Sequence, residues 1–227
     1  MKMSIGFQIL KRERKASEEM IKAFTGLPVA NVSDSMNRVF AAGPTLRPMH
    51  ASGAMIGSAI TVKSRPGDNL MLHKAIDMAE PGDVIVVDAG GDLSNALMGE
   101  LMLAHAINRG VAGFVLNGAI RDLDAFVETN LPTFAAGVTH RGPYKDGPGE
   151  INVPISIDGM VINPGDIVIG DCDGVLAVPL DHAEAILAST MEKQDKEVKQ
   201  MAAINARTND RSWVDVALKE KGCKFPE

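Results

Sequence analysis

One stretch restricts the possible folds of this chain more than any other. Pro81-Gly82-Asp83 leads into the unbroken apolar run VIVVDA at 84–89, and a Gly-rich loop follows. A helical segment then runs from about Gly99 to Asn108, and GFVLN at 113–117 is a second apolar run. Successive side chains of a strand point to opposite faces, so a run that is apolar at every position must be covered on both sides. Two such strands around a helix make a βαβ unit. Residues 83–117 therefore predict a parallel pair with a right-handed crossover.

The flanking segments extend this frame. Residues 15–25 have the spacing of a surface helix that Gly26 stops, and 29–36 hold Asn31, Ser33 and Asp34 as candidate caps of a second short helix. Residues 53–64 read as a strand. Pro66-Gly67-Asp68 then makes a turn, with Asp68 expected to cap the helix NLMLHKAIDMAE. Beyond residue 150, VPISI and MVINPGDIVIGDCDGVLAVP are short strands between Gly, Pro and Asp turns, the pattern of antiparallel pairing. Residues from Asp181 to about Ala206 form a long, mixed-charge helix, with a last short helix around Trp213. The expected class is α/β: a central, largely parallel sheet, a second, more antiparallel strand layer and a long C-terminal helix. No polar linker divides the chain, so 1–227 reads as a single domain with a C-terminal extension from about 206.

Composition removes several function classes. Aromatic residues are 4% of the chain, and the net charge is −6. Binding of single-stranded nucleic acid needs stacking platforms in a basic groove, and neither is supplied. Cys172 and Cys223 lie far apart without zinc-ligand spacing. Residues 1–10 are followed too soon by charge to be a secretory signal, and no apolar run reaches the roughly 18 residues of a membrane span. A reduced, soluble, cytoplasmic protein is expected.

The loop after the first buried strand, AGGDLSNALMGEL at 89–101, enters a helix at the carboxyl edge of the sheet. Ligands of open α/β sheets collect there, and free amides at a helix start attract anions. The residues Gly99, Glu100, Leu101 and Met102 offer such amides, although an ordinary βα turn has the same look. The second strand ends in Arg121-Asp122. Parallel strands end at one edge, so this pair should approach Gly99-Glu100. An Arg with an Asp and a Glu suits a divalent metal beside a developing enolate, or else only a surface ion pair. His73, Asp34, Ser35, the His140-Arg141 pair and Cys172 have readings in packing, capping or surface placement that serve them better.

The stretch GELMLAHAINRGVAGFVLNGAIRD, an acidic residue followed after twenty residues by Arg-Asp, resembles the RraA-like superfamily. Within it the likeness is to class II aldolases that cleave 4-hydroxy-4-methyl-2-oxoglutarate and 4-carboxy-4-hydroxy-2-oxoadipate. It extends over roughly residues 25–205 through PGDNLMLHKAID, PGDVIVVDAGG and PGDIVIGDCDGVLAVP. The resemblance implies the RraA-like swivelling β/β/α fold, a Mg²⁺ or Mn²⁺ cofactor and a 2-keto acid substrate. It also implies a homotrimer or homohexamer with the active site at a subunit interface. Asp122 corresponds to the metal ligand, and Glu100 to an acidic residue that reaches the metal through water, where the aldolases carry Asp. Arg121 corresponds to the enolate-stabilising arginine, and the amides of Gly99 to Met102 to the carboxylate-binding loop. Glu197, or failing that Glu192, matches a glutamate lent by a neighbouring subunit. The resemblance further implies oxaloacetate decarboxylation as a side reaction. The alternative is a non-enzymatic, protein-binding regulator of the ribonuclease E type. A methyltransferase reading fails because the glycines after the strand stop at two and no acidic residue closes the second strand.

Overall fold

The computed structural model describes residues 5–226; Met1–Ser4 of the N-terminal stretch and Glu227 lie outside the described residues. In chain order, β1 (Phe7–Ile9), α1 (Glu18–Phe24), α2 (Val29–Ser35) and β2 (Arg47–Pro48) precede the long β3 (Met55–Ser64). Helices and strands then alternate: α3 (Leu70–Met78), β4 (Asp83–Asp88), β5 (Ala96–Met98), α4 (Glu100–Asn108), β6 (Gly113–Ile120), α5 (Leu123–Thr129) and β7 (Thr133–Val138). Short strands follow, β8 (Gly149–Ile151), β9 (Ile155–Ile157), β10 (Met160–Ile162), β11 (Ile167–Asp171) and β12 (Gly174–Val178), before the helices α6 (Ala183–Asn205) and α7 (Ser212–Glu220).

The chain divides into two compact units, Met1–Thr190 and Met191–Glu227, with the boundary inside α6. The second unit holds the remainder of α6 and α7, whose start is tied by the Ser212 N–H donating to Asp210 Oδ1 at 2.8 Å. No helix among the described residues is long and apolar enough to cross a membrane.

The expected βαβ unit is present: β3, β4, β6 and β7 lie side by side in parallel, with Ile85 opposite Phe114 and Val87 opposite Leu116. Alternation assigns neighbouring residues to opposite faces. Val84, Val86 and Val115 join one core with Val32, Phe134 and Leu176, whereas Ile85, Val87, Phe114 and Leu116 join the other with Leu72, Leu103 and Phe126. The second core is where α3, α4 and α5 cover the sheet. The antiparallel strands are less separate than the sequence implies. Ten-residue β3 is long enough to take two antiparallel partners on one edge, β11 along Met55–Ser58 and β8 along Val62–Ser64. The β11–β12 hairpin therefore continues the main sheet, and only β9 and β10 form a sheet of their own.

The Pro-Gly-Asp triplets that enter strands share one device. Asp83 Oδ2 accepts the Glu80 N–H at 2.9 Å, and Asp166 Oδ2 accepts the Asn163 N–H at 2.8 Å, each closing a turn over three residues. Asp83 is fully buried and also receives Arg12 and Lys15. A buried carboxylate is tolerable because amides and cations surround it.

Phe114 is fully buried in β6, the strand that delivers the site described below. Phe114→Ala is expected to cost about 3–5 kcal/mol in urea-induced unfolding, the range for emptying an aromatic from a core. A loss below about 1 kcal/mol would show that the second core collapses around the gap.

Candidate active site

The site is made in the loop that follows β4. The sequence reading leaves 89–98 as loop, but the structure gives Ala96–Met98 the short strand β5, paired in parallel with the end of β6. Ala96 stands opposite Ala119 and Met98 opposite Ile120, and Arg121 donates its backbone N–H to Met98 O at 2.9 Å. A three-residue Ala-Leu-Met strand is too short for periodicity to reveal. Its effect is to lay Gly99-Glu100 directly beside Arg121-Asp122.

Four features define the junction. Asp122 takes φ 56° and ψ 46°, a left-handed conformation that Asp accepts more readily than most residues, and there begins α5. Its Oδ2 accepts the Glu100 N–H at 3.0 Å and lies 3.5 Å from Arg121 Nε. A Cβ built on Gly99 would overlap that Oδ2 and come within 2.9 Å of Arg121 Nε, so close approach is what calls for glycine here. Its own backbone, at φ −149°, is extended and would suit any residue. The Arg121 and Asp122 side chains remain 42% and 43% exposed, open enough to meet a ligand.

The amides at the start of α4 are partly spent. Glu100 N–H serves Asp122, and the Met102 and Leu103 N–H groups both donate to Gly99 O at 3.1 Å. The Leu101 N–H has no partner among the described residues, and the Leu101 side chain is exposed. A carboxylate approaching this turn therefore meets fewer free donors than the run of amides from Gly99 to Met102 implies.

A cleft of about 420 Å³, part of it open to solvent, lies here. Leu97, Met98, Gly99, Leu101, Met102 and Arg121 line it, together with Asn69, His73, Pro143 and Lys145. The sequence favours packing or capping for His73; the structure puts Asn69 and His73 in the lining. Asn69 is buried, and its Nδ2 donates to Leu97 O at 2.9 Å and contacts Met102 Sδ at 3.2 Å. Its Oδ1 has no partner among the described residues. Lys145 carries no sequence signal beyond a Gly/Pro-rich loop. From that loop it is Lys145 and Pro143 that line the cleft; the neighbouring His140 and Arg141 are exposed and do not.

Among the described residues no carboxylate lines the cleft, and its charged groups, Arg121 and Lys145, are both cationic. His73 responds to this field. Burial lowers its pKa, as does the Lys145 ammonium, with Asp77 opposing and His105 adding slightly. The imidazole is thus neutral near pH 7 and free to accept or donate.

Other expected residues lie elsewhere. The Glu100 side chain is exposed and does not line the cleft. Glu197 and Glu192 sit on α6 in the second unit, where Lys193 lies 3.0 Å from Glu197 and Lys196 lies 2.6 Å from Glu192. Asp34 pairs with Arg38 at 2.6 Å, and the Ser35 hydroxyl donates to Asn31 O, so both serve α2. Cys172 is exposed in the β11–β12 turn.

The donor set at the junction suits a hard divalent ion. Asp122 Oδ1 makes no hydrogen bond among the described residues, and Glu100 is held by its own amide to the same carboxylate. Mg²⁺ typically takes one or two carboxylates and fills its remaining positions with water and substrate. Among the described residues the cluster dense enough for three protein ligands is Asp171, Cys172 and Asp173, on the β11–β12 turn and outside the cleft lining.

A largely parallel sheet with Arg-Asp and a helix start beside a cationic cleft at its strand ends defines an α/β protein. More specifically, the chain belongs to the RraA-like family described as Aldolase/RraA, whose profile matches residues 29–177. It is 40% identical over 83% of its length to 90% of a Halalkalibacterium halodurans protein with the provisional name 4-hydroxy-4-methyl-2-oxoglutarate aldolase. Over 49% of its length it is 35% identical to 68% of the Thermus thermophilus 4-hydroxy-4-methyl-2-oxoglutarate aldolase. Its fold matches the solved RNA-processing inhibitor RraA of Thermus thermophilus with a TM-score of 0.62 at 29% identity, covering 67% of this chain and 92% of that one.

Two outcomes follow from this geometry. Gly99→Ala should lower the unfolding free energy by about 1–3 kcal/mol, the cost of overpacking, because Asp122 and Arg121 must both give way. In proton NMR, His73 should titrate below the ordinary 6.5, and Lys145→Met should move its midpoint upward. A midpoint indifferent to that substitution contradicts the contact.

Proposed function

We propose that this protein is a divalent-metal-dependent carbon–carbon lyase. Its substrate is a 4-hydroxy-2-keto acid, 4-hydroxy-4-methyl-2-oxoglutarate or 4-carboxy-4-hydroxy-2-oxoadipate, which it cleaves to pyruvate and a second keto acid. Oxaloacetate decarboxylation passes through the same enolate and is the expected side activity. The observation that carries the reading is the junction of Gly99, Arg121 and Asp122 at the head of a cationic cleft.

The substrate carboxylate enters between Arg121 and the free Leu101 N–H, drawn by the positive cleft. Asp122, with Glu100 beside it, would hold Mg²⁺ or Mn²⁺, which supplies Lewis-acid polarisation of the keto group. As the C3–C4 bond breaks, its electron pair moves to C3 and the enolate oxygen gains charge. Arg121 stands at the end of β6 to meet that charge, with its backbone already fixed to Met98 O. The C4 hydroxyl loses its proton and becomes the carbonyl of the departing product. Glu197 of a second copy, or Glu192 in its place, is the proposed proton acceptor, which requires a homotrimer or homohexamer with shared sites. Leu97, Met98 and Met102 give the cleft apolar walls that weaken competition from water. The enolate then takes a proton at C3 to give pyruvate.

The solved inhibitor of RNA processing with this fold supports a second reading, a protein-binding role that needs no turnover. A lactate-dehydrogenase-coupled assay with oxaloacetate and both diacids separates the two. Pyruvate should appear with Mg²⁺ or Mn²⁺ and stop with EDTA. Arg121→Ala and Arg121→Lys should lower kcat by about a hundredfold or more while the protein stays folded. Near-normal turnover by either variant would sink the proposed mechanism.

A further inference from the structure

The loop between β7 and β8 shows how Lys145 is held. On its N-terminal side, Tyr144 N–H donates to Gly67 O at 2.8 Å, and Tyr144 O accepts the Asn69 N–H at 3.0 Å. The Arg65 guanidinium stacks 5.5 Å from the Tyr144 ring centroid. On its C-terminal side, the Asp146 and Gly147 N–H groups both donate to Asp68 Oδ2 at 2.8 Å. Asp68 is fully buried, and its other oxygen accepts the Leu70 N–H at 2.9 Å. The cap position of α3 is Asn69, without a side-chain cap bond; Asp68, expected there from the sequence, lies one residue earlier, accepts the first helical amide and also fixes a loop nearly eighty residues away in sequence.

The backbone is thus pinned on both sides of a residue whose own ammonium has no ion pair or hydrogen bond among the described residues. An ordinary solvated lysine needs no such anchorage. This one lines the cleft that contains Arg121, and no carboxylate among the described residues pairs with it there. Arg121 lies beside Asp122, so Lys145 is the cation left for a second anionic group. The neutral, half-buried His73 on the same lining offers a hydrogen bond without competing for that charge.

We infer that Lys145 receives the second carboxylate of a dianionic 2-keto acid and sets the preference of the cleft for diacids over monoacids. The inference rests on the lyase reading for the placement of the first carboxylate at Arg121. Lys145 is a specificity residue here, and Asp68 is the positioning residue that holds its loop.

The test is calorimetric titration of the full-length protein, in buffer with Mg²⁺, with 2-oxoglutarate and with 2-oxopentanoate. The two have the same carbon chain and differ in the second carboxylate. The wild type should bind 2-oxoglutarate about tenfold more tightly, the worth of one charge-assisted contact in a partly open site. Lys145→Met should bring the ratio close to one with 2-oxopentanoate binding retained, and Lys145→Arg should keep a preference. A wild type that binds both acids equally overturns the inference. So does an unchanged ratio in Lys145→Met, or a loss of both ligands in that variant, which would make the lysine a support of the cleft alone. Failure of the lyase reading is seen separately, as absence of pyruvate from every substrate while the diacid preference persists.

Discussion

The site depends on the pairing of three residues, Ala96–Met98, with the last turn of a neighbouring strand. Without β5, the loop after β4 would reach α4 along an undetermined path, and the start of α4 would have no fixed distance from Arg121. With it, the backbone bond from Arg121 to Met98 sets the register, and Gly99 is pressed against Arg121 and Asp122 so closely that no side chain fits between. Asp122 then does two things at once. It begins α5, and it satisfies the first free amide of α4. Helix starts need such acceptors, and here the acceptor belongs to another helix.

The cleft around that junction is electrostatically one-sided. Arg121 and Lys145 come from different elements, and among the described residues no acidic side chain lines the space between them. Separated like charges with few counter-ions are costly in a folded protein unless a ligand neutralises them, which is why such clefts draw anions. The cost shows at His73, whose protonation is opposed by burial and by Lys145. Buried carboxylates, meanwhile, are used as scaffolding: Asp68, Asp83 and Asp166 each accept backbone amides that close turns or hold loops, and Asp83 also takes Arg12 and Lys15.

The legible part of this architecture was whatever follows from local pattern. The runs at 84–89 and 113–117 are apolar at successive positions, and strands with two buried faces are the only economical way to use them. The helical spacing between them required a crossover, and the crossover required a shared edge. A shared edge brings Arg121-Asp122 to Gly99-Glu100, an adjacency that follows from the strand pattern alone. The Pro-Gly-Asp triplets are turns as expected, and those that enter strands share a hydrogen bond; Asp68 does not occupy the cap position expected of it, which falls to Asn69, but accepts the first amide of the helix from one residue earlier.

Tertiary structure decided what pattern does not encode. Strand β5 is too short to have a period, and the antiparallel hairpin β11–β12 joins the main sheet only because β3 is long enough to carry two partners on one edge. Lys145 lies forty-six residues from Gly99 and enters the cleft because a buried carboxylate at Asp68 captures two amides beyond it. Contacts of this kind join segments whose sequences carry no mark of each other. The sequence alone determined the parallel core and the edge at which the candidate site lies, because alternation and periodicity are local properties of a chain. Only the folded structure determined which cations face the space beside Arg121, because that depends on where distant loops are pinned.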